Sequence, residues 1–260
     1  MDNKKIKFLI LAAGKGTRMD GDLPKVLAPL GGKPMIKHLL ETISKVYDGK
    51  PIVIVGYKAE LIKAELGDSC IYALQKEQLG TGHAVFSAKE YCEDADEIIV
   101  LSGDQPFVKA ETIKKTLEKH KNSKAKITFT TTEVPDFLDW RKYFIPLGRI
   151  LRKNGPARSP ESSGAGGEIT GIREYKDAND EEKKITEINA ACCYVFDAKW
   201  LWENIPKIKN NNAKKEFYLT DLFYIAYDEK EKIETIKINP DESMGANSKE
   251  DLEMLQKFVA

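Results

Sequence analysis

A chain of 260 residues, 42% of them hydrophobic, can bury one large core, and single α/β domains of roughly 200–250 residues are common. One main domain with room for a small lobe is therefore expected. The 41 lysines and arginines balance 41 aspartates and glutamates, which excludes a global field drawing in nucleic acid or an anionic membrane and leaves a small charged substrate held by local sites.

The opening apolar run, residues 6–13, is too short to span a membrane and lacks a cleavage-site pattern; it reads as a first core strand. β-rich runs at 6–11, 51–55, 70–74, 98–101 and 126–132 alternate with helical patterns at 34–47, 60–66, 83–91 and 110–120. In the first helix Ile36, Leu39, Leu40 and Ile43 fall on one stripe. Several strands are continuously apolar, as strands covered on both faces are. The rhythm predicts an α/β fold with a doubly wound, mostly parallel, Rossmann-like sheet, its ligands beyond the carboxyl ends of the strands.

After about residue 135 the rhythm changes. Runs at 148–151, 169–175 and 185–196 read as strands of a small β-rich lobe. The Pro, Ser and Gly-rich segment 156–167 has no apolar face and reads as an exposed loop. Helical patterns return at 220–227 and 249–258, around a strand at 233–238. No internal repeat occurs, and no hexapeptide period that would build a β-helix. Four cysteines (Cys70, Cys92, Cys192, Cys193) without C-x-x-C spacing, and three histidines (His38, His83, His120) away from them, indicate neither a disulfide framework nor a zinc site and point to the cytoplasm. Cys192 and Cys193 read as core strand, since strand neighbours face opposite sides. His83 reads as a packing or capping residue.

The segment Leu11-Ala12-Ala13-Gly14-Lys15-Gly16-Thr17-Arg18-Met19, followed by Leu23-Pro24-Lys25-Val26-Leu27, carries the most chemistry. A glycine-rich turn after the first strand lets backbone N–H groups approach phosphate oxygens, and Arg18 and Lys25 supply positive charge for a triphosphate. Met19 stands where G-x-G-x-x-G needs its last glycine, and no G-x-x-x-x-G-K-[ST] occurs. A plain tight turn is the competing reading. Asp104 follows a strand, so its carboxylate emerges at the sheet's carboxyl edge, where Mg2+ with few protein ligands is expected; a turn-forming aspartate is the alternative.

These segments resemble the signature of the sugar nucleotidyltransferase superfamily. Gln75-Lys76-Glu77-Gln78-Leu79-Gly80-Thr81-Gly82-His83-Ala84, Glu187-Ile188-Asn189, the run Glu216-Phe217-Tyr218-Leu219-Thr220-Asp221, and Gly245-Ala246-Asn247-Ser248 narrow the resemblance to the N-acetylglucosamine-1-phosphate uridylyltransferase family. It implies one nucleotidyltransferase domain over 1–260, with a nucleotide-binding part at about 1–135, a sugar-binding part at about 136–248 and a C-terminal helix at 249–260. Leu11, Ala12, Ala13, Gly14, Gly16, Thr17 and Arg18 are implied for UTP, with Lys25 at the reacting phosphates. Gln75 and Gly80, with Gln78 and Thr81 nearby, are implied for uracil. Asp104 and Asn247 are implied for Mg2+. Gly148, Glu174 and Asn189 are implied for the sugar, and Tyr218 and Thr220 for its phosphate. Arg18, Lys25 and Asp104 are the implied catalytic groups, UTP and a sugar-1-phosphate the implied partners.

The sugar phosphate is already anionic near neutral pH, so such an enzyme needs no general base; it must screen charge, align the attack and stabilise the departing pyrophosphate. Three departures from the family pattern stand out: Ala190-Ala191 replaces Thr-Gly, Gln105 replaces a small aliphatic residue, and the 156–167 loop is longer. Ala190 is expected to lack a polar contact or its support, and Ala191 either to crowd the sugar or to force a small shift of the strand, loosening sugar selection. The acetyltransferase β-helix of bifunctional family members is not expected, nor is acetyl transfer. A uridylyl- or cytidylyltransferase for another sugar phosphate or cofactor, and a non-catalytic sugar-nucleotide sensor, are the other readings.

Overall fold

The computed structural model describes residues 5–16, 23–153 and 167–259. In chain order the elements are β1 (Ile6–Ala12), β2 (Pro29–Leu30), β3 (Lys33–Pro34), α1 (Met35–Ile43), β4 (Ile52–Val55), α2 (Ala59–Leu66), β5 (Ile71–Leu74), α3 (Thr81–Phe86), β6 (Glu97–Ser102) and α4 (Ala110–Ser123). The second half contributes β7 (Ile127–Glu133), β8 (Arg149–Arg152), β9 (Ile169–Arg173), α5 (Asp180–Lys183), β10 (Glu187–Asp197), α6 (Ala198–Asn204), α7 (Leu222–Asp228), β11 (Ile233–Lys237) and α8 (Lys249–Val259).

The principal sheet runs β11-β7-β10-β6-β1-β4-β5. Its strands share one direction except β10, which is antiparallel to both β6 and β7. Alternation along β1 explains the double winding: Leu9 packs into a core with α3, α6 and α7, whereas Phe8 and Ile10 pack into a second core with α1, α2 and α4. The four residues of β4 are all buried, as a parallel strand covered on both faces requires. The expected α/β, doubly wound, mostly parallel sheet is thus present.

Three local expectations change. The first helix ends at Ile43 rather than continuing to residue 47, and Tyr47 instead stacks on Phe8 with ring centroids 4.6 Å apart. The pattern at 83–91 is a shorter α3 and a separate turn at Lys89–Cys92. The run at 185–196, read as a lobe strand, is an eleven-residue strand whose second half lies inside the principal sheet. Only its first half meets the lobe, where Ile188 pairs with Arg149 of β8, and β8 pairs with β9. Buried Arg149 ties this lobe together by donating to the carbonyls of Phe144, Ile145 and Leu147 at 3.2, 3.0 and 2.5 Å; burial pulls its guanidinium down to about 10. The segment 156–166 lies outside the described residues. Among the described residues no helix is long and apolar enough to cross a membrane.

Candidate active site

The carboxyl ends of β1, β5 and β6 open on a cleft of about 470 Å³. Leu11, Ala12, Ala13, Gly14, Gly16 and Lys25 line one wall, Gln75, Gln78, Gly80 and Thr81 another, with Asp104 at the floor. Gly16 has φ +58°, and a Cβ there would come 2.8 Å from Lys25 Cβ, so the turn requires glycine. A Cβ on Gly14 would meet nothing within 4 Å, which leaves the turn open to a ligand. Thr17 and Arg18 lie outside the described residues.

Three loops converge at the floor. Lys25 Nζ donates to Asp104 Oδ2 and, at 2.9 Å, to Asn247 Oδ1. The Asn247 loop is pressed onto the Asp104 loop: Ala246 N donates to Asp104 O at 3.2 Å, and a Cβ on Gly245 would fall 2.4 Å from that oxygen. Asp251 fixes the loop from behind by accepting from Asn247 N and Ser248 N at 2.9 and 3.0 Å. A carboxylate and an amide oxygen thus point at one cationic centre, here the lysine ammonium. Two hard oxygen donors open to the cleft fit a Mg2+-like ion, which keeps most of its shell for water and other oxygens. No group of three or more His, Cys, Asp or Glu that could hold a metal occurs among the described residues.

The loop expected to meet the base is built around Gln75, which is 3% exposed. Its Nε2 lies 3.1 Å from Gly80 O and 3.0 Å from His83 Nδ1. Gly80 adopts φ +114° and packs so tightly that a Cβ would sit 2.6 Å from Phe217 O. The segment carrying Tyr218 and Thr220 clamps this loop: Phe217 N donates to Leu79 O at 2.7 Å, Gly82 N to Phe217 O at 2.8 Å, and Leu219 N to Thr81 Oγ1 at 2.9 Å.

Among the residues expected to meet the sugar phosphate, Thr220 Oγ1 donates to Glu174 Oε1 at 2.9 Å, and the same carboxylate lies 3.6 Å from a Cβ placed on Gly148. Burial raises the Glu174 carboxyl above its usual range, against the opposing bond from Thr220. Burial, then Glu174 and Asp177, push Asp221 up to about 6. Asn189 is held within its own strand. It is 3% exposed, its Nδ2 donates to Tyr194 Oη at 2.7 Å, and its Oδ1 accepts from Ala191 N at 3.1 Å. Its amide braces the bulge between Asn189 and Tyr194.

Ala190 is 0% exposed within the core. Ala191 adopts φ +54°. Two residues passed over by motif reasoning matter here. Gln105, 5% exposed, donates through Nε2 to Ala190 O and Ser243 O, both at 2.8 Å, and so ties the bulge to the loops of Asp104 and Asn247. His83 packs not as a helix cap but against the amide of Gln75. Only its place within the segment Gln75 to Ala84 could have signalled that.

Residues 8–158 match the MobA-like NTP transferase domain. A bifunctional protein GlmU of Clostridioides difficile (strain 630) is 39% identical over 97% of this chain, and one of Desulfotalea psychrophila (strain LSv54 / DSM 12343) is 34% identical over 96% of it. The chain covers 69% of the second but only 51% of the first, and spans about half the length of most curated relatives it matches. A UDP-glucose pyrophosphorylase complexed with UDP-glucose superposes with a TM-score of 0.73 at 17% identity, covering 98% of both chains. A 4-diphosphocytidyl-2C-methyl-D-erythritolsynthase from Anaerococcus prevotii DSM 20548 does so with 0.64 at 17%, covering 99% of both. These two share the fold. With the domain matched over more than half its length and bifunctional GlmU proteins as relatives, the chain belongs to the MobA-like NTP transferase family.

Proposed function

We propose that the chain transfers a uridylyl group from UTP to N-acetylglucosamine-1-phosphate, giving UDP-N-acetylglucosamine and pyrophosphate. The GlmU relatives, 34–42% identical, support the reaction class. The observation that carries the choice of base is the orientation of Gln75. Gly80 O and His83 Nδ1 together accept the two N–H groups of the amide, so its nitrogen faces them. Oε1 is then the side-chain atom left for a ligand. An acceptor there suits the N3–H of uracil and opposes the bare N3 of cytosine.

The glycine-rich turn holds the triphosphate, with Thr17 and Arg18 completing it. Asp104 and Asn247 would hold Mg2+, which supplies charge screening on the phosphates. Lys25 then turns from these oxygens to the α-phosphate region, where its charge favours the transition state. Glu174, Gly148, Tyr218 and Thr220 receive the sugar phosphate, and an acetamido group would compete with Tyr194 for the Asn189 amide. The partners are small molecules. Four free, buried cysteines suit the reducing cytoplasm. Pyrophosphate release across four nucleoside triphosphates and a panel of sugar-1-phosphates tests the reading. Fastest release from UTP with N-acetylglucosamine-1-phosphate is expected; none from UTP with any sugar phosphate would refute it.

A further inference from the structure

We infer that His83 is a positioning residue for base selection, acting through Gln75; the inference rests on the uridylyl reading above. An amide side chain presents oxygen and nitrogen in nearly the same shape, so a glutamine selects a base only if something fixes which end faces the ligand. Gln75 Nε2 has two neighbours, Gly80 O at 3.1 Å and His83 Nδ1 at 3.0 Å. Gly80 O is shared, because Ala84 N donates to it at 3.0 Å. The imidazole is therefore the acceptor given to the amide alone, with Nδ1 accepting and the ring proton on Nε2.

Both anchors are immobile. Gly80 has a positive φ and packs against Phe217, and the start of α3 is pinned where Gly82 N donates to Phe217 O and Thr81 Oγ1 accepts from Leu219 N. The ring thus comes from a fixed backbone to a fixed amide. Gly80 N–H donates to no backbone carbonyl among the described residues. This donor and Gln75 Oε1, two elements of the same cleft wall, present one acceptor and one donor. That pair complements an N3–H beside a carbonyl, the edge of uracil, and mismatches the N3 and amino group of cytosine.

The test separates binding from turnover. UTP and CTP dissociation constants are measured by calorimetry for the wild type, His83→Leu and His83→Asn, with pyrophosphate release measured alongside. His83→Leu removes the acceptor and should lower the UTP-over-CTP affinity ratio about tenfold. His83→Asn can place Oδ1 where Nδ1 stood and should hold the ratio within about threefold of the wild type. Thermal melting confirms that each variant is folded. An unchanged ratio in folded His83→Leu overturns the inference, as does equal loss in both variants, which would mark a packing role. Absent pyrophosphate release with the affinity ratios behaving as expected would sink the transferase reading alone.

Discussion

Lys25 Nζ and Asn247 Oδ1 stand 2.9 Å apart across 222 positions of sequence, with Asp104 on the same ammonium. The lysine occupies the point where two oxygen ligands meet. Asp104→Asn keeps the volume but removes the hard anionic ligand, and should lower turnover by about two to three powers of ten without loss of melting temperature. Unchanged pyrophosphate release at limiting Mg2+ would remove Asp104 from the cation site. Lys25→Ala should lower kcat more than it raises KM for UTP, because its charge is needed most at the transition state.

Ala191 holds a left-handed φ of +54°, a conformation that disfavours any side chain. Ala191→Gly should therefore stabilise the protein by about 1 kcal/mol, read as a shift of roughly 2–4 °C in Tm. Ala190→Thr should do the reverse, since it buries a hydroxyl in the core. If Ala191→Gly leaves both Tm and the N-acetylglucosamine to glucose-1-phosphate preference unchanged, the methyl neither strains the bulge nor touches the sugar.

The glycine-rich turn was legible because its demands are local: Gly14, Gly16 and Lys25 sit within one stretch, and the left-handed φ of Gly16 against Lys25 is one that glycine meets. The parallel half of the sheet was legible from its apolar runs for the same reason. The placement of β10 was not, because its pattern fits a lobe strand and a central strand equally, and its antiparallel pairing with β6 and β7 joins distant segments. His83 and Gln105 escaped because their roles lie in partners, Gln75 and the carbonyls of Ala190 and Ser243, that no spacing rule connects.

Gln105 is a costly strap. Its Nε2 satisfies two carbonyls, yet its Oε1 is buried with no hydrogen-bond partner among the described residues. Gln105→Leu removes that orphaned oxygen but strands Ala190 O and Ser243 O, so a net loss of about 1–3 kcal/mol is expected. Urea unfolding measures it, and a variant as stable as the parent would show that the strap contributes nothing. The Mg2+ concentration for half-maximal activity should rise as well, because the Asp104 and Asn247 loops lose a common tie.

Asp221 gives the site a pH signature. Its carboxyl is pushed up to about 6 from the ordinary 3.8, first by burial and then by the charges of Glu174 and Asp177. The folded protein thus holds a proton that the unfolded chain releases in this window, so the group's contribution to stability is present below pH 3.8 and is lost as pH rises through 6. Asp221→Asn mimics the protonated form at every pH. Its Tm should match that of the wild type near pH 4, exceed it progressively as pH climbs, and keep a constant advantage above pH 7. Solvent access to the half-buried carboxylate moderates the size of the gain but not its sign. A melting difference independent of pH between 4 and 8 would mean that Asp221 does not titrate in this window, and a difference that shrinks as pH rises would reverse the assigned direction.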